Sequence, residues 1–255
     1  MHNYEFPNGF CEISPGLLEH GIDAWVKTPL NLNKYLLVSW RMSGSEFCKE
    51  VLRENFSELS SLQFWAKSHI LLNDKFCHDL NNIVNTKVFV IITDPREVAC
   101  NLVFFDNGFH FQSSEYKSTN KLSSSFLGDV TDKQIELIKH YKNIFKDNCI
   151  VLRYEDAVFN QQDFLNSSST FLNQQPLFVD NVKKYKWSAY KNVGGFHHFY
   201  DQKAIDSHYE NYQDFFKEYN YPKEGLQYLK YTWDESNDIT KFSPSPPPPP
   251  PPKII

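Results

Sequence analysis

YLLVSWRMSGSEFCKEVLREN, residues 35–55, is the stretch on which the reading of the fold turns. Tyr35-Leu36-Leu37-Val38-Ser39 is an apolar run of strand length with small, turn-type residues close behind it. Ser43-Gly44-Ser45 makes a loop, and Phe47, Val51 and Leu52 then fall on one face of a helix. A strand, a small-residue loop and a helix N-terminus in succession can hold an anion. The first helical N–H groups lack partners within the helix, and the helix dipole places partial positive charge there. Gly44 admits a close approach of backbone to ligand, and the Ser43 and Ser45 hydroxyls can donate to phosphate oxygens. The same pattern also suits an ordinary βα turn, and its spacing is not the G-x-x-x-x-G-K-[ST] of a nucleotide triphosphatase loop.

Further strands and helices alternate downstream. Gln63–His69 reads as a short strand or its end. Lys87–Ile92, KVFVII, is a continuous apolar strand that stops at Thr93-Asp94-Pro95-Arg96-Glu97. There Asp94 suits an N-cap, Pro95 the first helical position and Glu97 a capping box, so a second buried strand runs straight into a second helix N-terminus. That helix carries Val98, Leu102 and Phe105 on one face and stops at Asp106-Asn107-Gly108. Residues 107–130 are polar and Ser-rich and read as a long loop or lid. Thr131-Asp132 opens a helix with Ile135, Ile138, Tyr141 and Phe145 facing inward, and Cys149–Arg153 is a third parallel-type strand. Asp163–Leu172 reads as helical. A last helix is predicted from about Gln202 to Tyr219, with Ile205, Tyr209, Tyr212, Phe216 and Tyr219 as its core stripe. The fold class is α/β, three layers with a central parallel sheet.

The bulk numbers fit one such domain. The chain has 255 residues, 41% hydrophobic and 16% aromatic, enough for a large core. A net charge of −5 argues against a nucleic-acid partner over the whole surface while leaving room for a local basic pocket. The five cysteines, Cys11, Cys48, Cys77, Cys100 and Cys149, are scattered and form no C-x-x-C pair, so buried thiols in a reducing cytoplasm are expected. No signal peptide and no 18-residue apolar run is visible, so no membrane association is expected. Pro246–Pro252 are seven consecutive prolines; the tail reads as a solvated polyproline spacer or as a ligand for a proline-binding partner. Three parts are expected: a lead-in over 1–33, a domain over 34–242 and a disordered tail over 243–255.

Taken together, several stretches resemble, in order over Tyr35–Pro222, the sulfotransferase family that uses 3′-phosphoadenosine 5′-phosphosulfate (PAPS). VSWRMSGSEF resembles the 5′-phosphosulfate loop, commonly written Y-P-K-S-G-T-T-W or P-R-S-G-S-T. Lys67-Ser68-His69 resembles K-T-H, and VIITDPREVACNLVFF resembles R-D-P-R-D-V-A-V-S-L-Y-H-F, the 3′-phosphate segment. VLRYEDAVFN resembles V-x-R-Y-E-D-L, and NVGGFHHFYDQKAIDSHYENYQDFFKEYNYP resembles the G-x-x-G-x-W loop with the last helix. The resemblance implies a P-loop nucleotide-hydrolase-like fold, PAPS as donor substrate and no metal. It implies His69 as the base that deprotonates a hydroxyl or amine acceptor. Ser43, Gly44 and Ser45 would hold the 5′ end, with Arg41 as the supporting cation, and Thr93 and Asn101 would face the 3′-phosphate. A small-molecule or glycan acceptor is the partner the resemblance implies.

The chain departs from the family pattern at charged positions. The loop Lys or Arg falls on Met42, the first Arg of the 3′ segment on Thr93, and a loop Thr or Ser on Glu46. A carboxylate at Glu46 would repel phosphosulfate unless it faces solvent or pairs with Arg41. A charge-assisted hydrogen bond is worth about 1.5–3 kcal/mol, so each lost cation weakens binding by roughly 10- to 150-fold. Lys191, or Lys183, Lys184 or Lys186, could restore positive charge near the 3′-phosphate. Phe196 or His197 falls where the family has Trp, and Arg96 is expected to pair with Glu97, Asp156 or solvent. Two functions stay open: a PAPS-dependent sulfotransferase with a divergent donor site, or a non-catalytic relative acting as a binding module or scaffold.

Overall fold

The computed structural model describes residues 34–40, 43–60, 65–68, 71–105, 121, 125–177 and 196–226, with backbone alone for 65–68, 101–105 and 198. Among these residues four strands make one sheet: β1 (Tyr35–Ser39), β2 (Trp65–Ser68), β3 (Lys87–Ile92) and β4 (Cys149–Arg153). All pairings are parallel and the order is β2-β1-β3-β4. Tyr35–Ser39 is buried throughout, as a strand covered on both faces must be.

The pleat divides the strand side chains between two helical layers. Tyr35, Leu37, Phe89, Ile91 and Leu152 pack against α1 (Ser45–Asn55), α5 (Tyr154–Phe159) and α6 (Gln161–Leu172). Leu36, Val38, Val88, Val90 and Ile92 pack against α2 (Asp74–Asp79) with the π turn that follows it, α4 (Ser125–Phe145) and α9 (Gln213–Glu218). The expected three-layer α/β fold with a central parallel sheet is therefore present. Going from β1 to β2 the chain crosses on one face; going back past β1 to β3 it crosses on the other. A constant crossover hand requires that exchange. The reversal puts a topological switch point between β1 and β3, outside whose carboxyl ends such sheets bind ligands.

Beyond those strand ends lies a third apolar cluster. It joins Val98, Ala99 and Cys100 of α3 (Pro95–Phe105) to Leu127 and Val130 of α4, to Phe196 and Phe199 of α7 (Phe196–Phe199), and to Ile205 of α8 (Gln202–Asn211).

Two boundaries differ from the sequence expectation. Residues 125–130, read as part of a polar loop, form the first turns of α4, because Leu127, Val130 and Gln134 continue the buried stripe toward the N-terminus. Thr131 is accordingly mid-helix and not a cap; its hydroxyl donates to the Leu127 carbonyl at 2.9 Å. The predicted helix 202–219 is two helices, because Tyr212 (φ −118°, ψ 27°) leaves helical geometry and turns α9 onto the sheet. The break buries Phe215 beside Phe216. Several expectations fall outside the described residues: the lead-in, the Pro246–Pro252 tail, most of 107–124 and the Lys183–Lys191 segment. No helix among the described residues is long and apolar enough to cross a membrane.

Candidate functional site

The β1–α1 loop and the β3–α3 junction meet at the switch point. Gly44 is the N-cap of α1, at φ +69°, and its carbonyl accepts from the Cys48 N–H at 3.2 Å. As a glycine it brings no side-chain acceptor to the first turn of α1. A Cβ at Gly44 would lie 2.1 Å from Tyr154 Cδ2, so backbone and ring are in contact and only glycine fits. Ser43 and Ser45 are both buried. The Ser43 hydroxyl has no hydrogen-bond partner among the described residues. A buried hydroxyl at a helix N-terminus without a partner is unusual, since such groups are nearly always satisfied. Glu46 turns outward, with its side chain 46% exposed and paired to Lys49 at 2.5 Å. That pairing answers the repulsion expected from its carboxylate with a cation other than Arg41.

On the facing side Thr93 is fully engaged. Its N–H donates to Gln134 Oε1 at 3.3 Å, its carbonyl accepts from Gln134 Nε2 at 3.0 Å, and its hydroxyl donates to the Ser43 carbonyl at 3.1 Å. The Thr93 side chain thus latches the two loops together, and its hydroxyl proton is committed to that latch.

Asp94 caps α3, accepting from the Arg96 N–H at 3.0 Å. The same carboxylate takes the Arg96 guanidinium in a bidentate pair, with Nε at 2.9 Å and Nη2 at 2.6 Å. Arg96 was expected to pair with Glu97, Asp156 or solvent; the cap geometry instead turns it back onto the residue two positions before it. Arg96 is fully buried and lies over the Phe196 and Phe216 rings, 4.4 and 4.8 Å from their centroids. Its remaining donors reach the carbonyls of Pro222 (2.8 Å) and Lys223 (2.6 Å). Burial works against its charge, but Asp94 prevails and the guanidinium pKa is raised.

Glu155, at the start of α5, completes the junction. One oxygen accepts from the Asp94 N–H at 2.8 Å and the other from the Tyr221 hydroxyl at 3.0 Å. Burial, with a smaller contribution from the Asp94 carboxylate, pushes it up to about 7 against the hydrogen bonds that favour its ionised form. Arg153 pairs with Asp156 and donates to the carbonyls of Tyr219 and Asn220 at 3.2 and 3.0 Å. The segment 219–223 is therefore strapped across the strand ends by two arginines and one carboxylate. Carboxylates at a strand end commonly hold neighbouring loops, and Glu155 and Asp156 do so here. The Tyr221 and carbonyl partners had no local signal, lying 66 to 127 positions away.

Three of the expected site residues, Ser43, Gly44 and Ser45, are brought together at the α1 N-terminus, with Thr93 against them. Asn101 lies on α3, described by its backbone alone, while His69, Arg41, Met42 and Lys191 are outside the described residues.

His208 is a buried residue that sequence reading missed. Its Nε2 is 2.8 Å from Thr131 Oγ1, whose own proton goes to Leu127, so Nε2 donates and Nδ1 is left without a partner among the described residues. Burial lowers its pKa to about 4.

No protein-family description matches the chain, and no curated protein matches it. Among solved structures 28 chains match. One is mouse sulfotransferase SULT7A1 complexed with PAP (3′-phosphoadenosine 5′-phosphate), at 18% identity and a TM-score of 0.39; the match covers 64% of this chain and 65% of that one.

Proposed function

We propose that this chain binds the phosphate groups of PAPS at the β1–β3 switch point and transfers its sulfuryl group to a hydroxyl or amine of a small molecule or glycan. The observation that carries the reading is the buried Ser43 hydroxyl, without a partner among the described residues, at the glycine-started N-terminus of α1. An anion there would be met by that hydroxyl and by the helix dipole. In the reaction, His69 takes the acceptor proton, the acceptor oxygen or nitrogen forms its bond to sulfur, and the bond from sulfur to the 5′-phosphate oxygen breaks. The charge left on that oxygen falls to Ser43, Ser45 and the α1 end, with Arg41 assigned as cation; Asn101 and Lys191 are assigned to the 3′-phosphate. Positioning and electrostatic stabilisation supply the rate, as in phosphoryl transfer.

A second reading, a phosphate-binding module without transfer, is favoured by Thr93 and Arg96. Both are committed to internal partners.

Ser43→Ala tests the binding step. Removing a buried hydroxyl that lacks a partner leaves the free protein as stable as before or more so, whereas affinity for PAP falls about tenfold. Unchanged PAP affinity on calorimetric titration would sink the site. If PAP binds, a screen of acceptors with PAPS and the His69→Ala variant separates the two readings: transfer abolished by His69→Ala supports the enzyme, and binding without transfer supports the module.

A further inference from the structure

We propose that Glu155 is a positioning residue of this anion site, and that an anion bound at residues 43–45 is taken up together with a proton on Glu155. The inference rests on the nucleotide-binding reading above.

The pair Tyr154–Glu155 touches both halves of the site. The Tyr154 ring occupies the space a Cβ would need at Gly44, and Glu155 Oε1 holds the Asp94 amide at the head of α3. The second carboxylate oxygen holds Tyr221 of the strap. Glu155 is 1% exposed, and the partners its oxygens accept from are neutral. Among the described residues, the titratable and charged groups that face it are the Asp94 carboxylate at the β3–α3 junction, Arg153 of β4, whose charge is shared with Asp156 of α5, the Cys48 thiol of α1, and the Tyr221 hydroxyl. Arg96, the other nearby cation among the described residues, is neutralised by Asp94.

Two carboxylates thus lie close together behind an anion site, one matched by an arginine and the other, among the described residues, not. An arriving phosphate adds negative charge in the same poorly screened surroundings. The unmatched carboxylate responds by taking a proton. Its pKa of about 7 in the free protein makes that response small in chemical cost near neutrality. Linkage is reciprocal: if the anion raises the proton affinity of Glu155, the proton raises the affinity for the anion. Below pH 7 Glu155 is protonated before and after binding and contributes no pH dependence. Above pH 7 binding requires proton uptake, and affinity falls by up to about tenfold per pH unit.

The test is calorimetric titration of the full chain with PAP from pH 6 to pH 9, in two buffers of different ionisation heat. Wild type, Glu155→Gln and Tyr221→Phe are compared. PAP phosphates titrate near pH 6 in all three and cancel in the comparison. Expected are net proton uptake by wild type above pH 7 and no alkaline fall in Glu155→Gln. Tyr221→Phe removes a hydrogen bond that favours the ionised carboxylate, so the fall should begin at higher pH. If PAP binds but wild type and Glu155→Gln give parallel pH profiles, the inference is overturned and the nucleotide site stands. If Glu155→Gln does not fold, zero proton uptake by wild type with an unmoved onset in Tyr221→Phe overturns it equally. Absence of PAP binding across the pH range removes the nucleotide reading and this inference with it.

Discussion

Gly44→Ala probes the contact on which the anion loop is built. The substitution carries two separable penalties. A non-glycine residue at φ +69° costs about 1–2 kcal/mol in backbone strain. The new Cβ also overlaps the Tyr154 ring, with Cδ2, Cε2 and Cγ at 2.1, 2.4 and 2.6 Å. That ring is 6% exposed and packs edge-on against Phe47, so it has nowhere to retreat without opening the core. Overpacking of this kind costs about 1–3 kcal/mol, for a total of about 2–5 kcal/mol. Urea denaturation measures the sum, read as a lower midpoint at unchanged slope. Tyr154→Leu then separates the parts. With the ring gone the overlap disappears and the strain remains, so Gly44→Ala should cost only about 1–2 kcal/mol in that background. A loss below about 1 kcal/mol in the wild-type background, or equal losses in both backgrounds, would refute the contact argument.

Arg96→Met should destabilise by about 3–5 kcal/mol in the same assay, because it strands the Asp94 carboxylate and releases two strap carbonyls. His208 has a folded-state pKa of about 4, below its unfolded 6.5, so its contribution is fully present above pH 6.5 and lost as pH falls toward 4. His208→Gln, which keeps a donor to Thr131, should flatten thermal stability in that window by about 3 kcal/mol. Glu155 carries the opposite sign. Its pKa is raised from 4.5 to about 7, so its contribution is fully present below pH 4.5 and lost as pH rises through 7. Glu155→Gln should therefore gain on wild type between pH 5 and pH 8 by about 3 kcal/mol, measured as the difference in unfolding free energy between those pH values.

The strands and the two strand-to-helix junctions were legible because their signals are local. KVFVII is a buried strand by its unbroken apolar run, and Asp94-Pro95 ends it with a cap. The α4 start was missed because Ser125 and its Ser-rich approach look like loop, while the residues that make it helical, Leu127 and Val130, bury against α7 and α8. The break at Tyr212 was hidden by a stripe that stays in phase across it. Within the site, the loop glycine and serines could be found from small-residue spacing before a helix. The partners of Thr93, Arg96, Glu155 and Tyr221 could not, because each is chosen by tertiary packing. Nothing in TDPRE distinguishes an arginine aimed at a ligand from one folded back on its own cap.

Arg96 also sets an order of events during synthesis. Its last two acceptors, the carbonyls of Pro222 and Lys223, are translated 126 and 127 residues after it. A nascent chain can pair β1, β2, β3 and β4 and close the Asp94 cap long before those carbonyls exist. The strand ends then wait with a cation half satisfied and the Asp94–Glu155 pair without Tyr221. The final cooperative step belongs to the C-terminal segment, so a ribosome paused short of Pro222 should carry a chain whose sheet is assembled but whose β3–α3 junction a protease can still open.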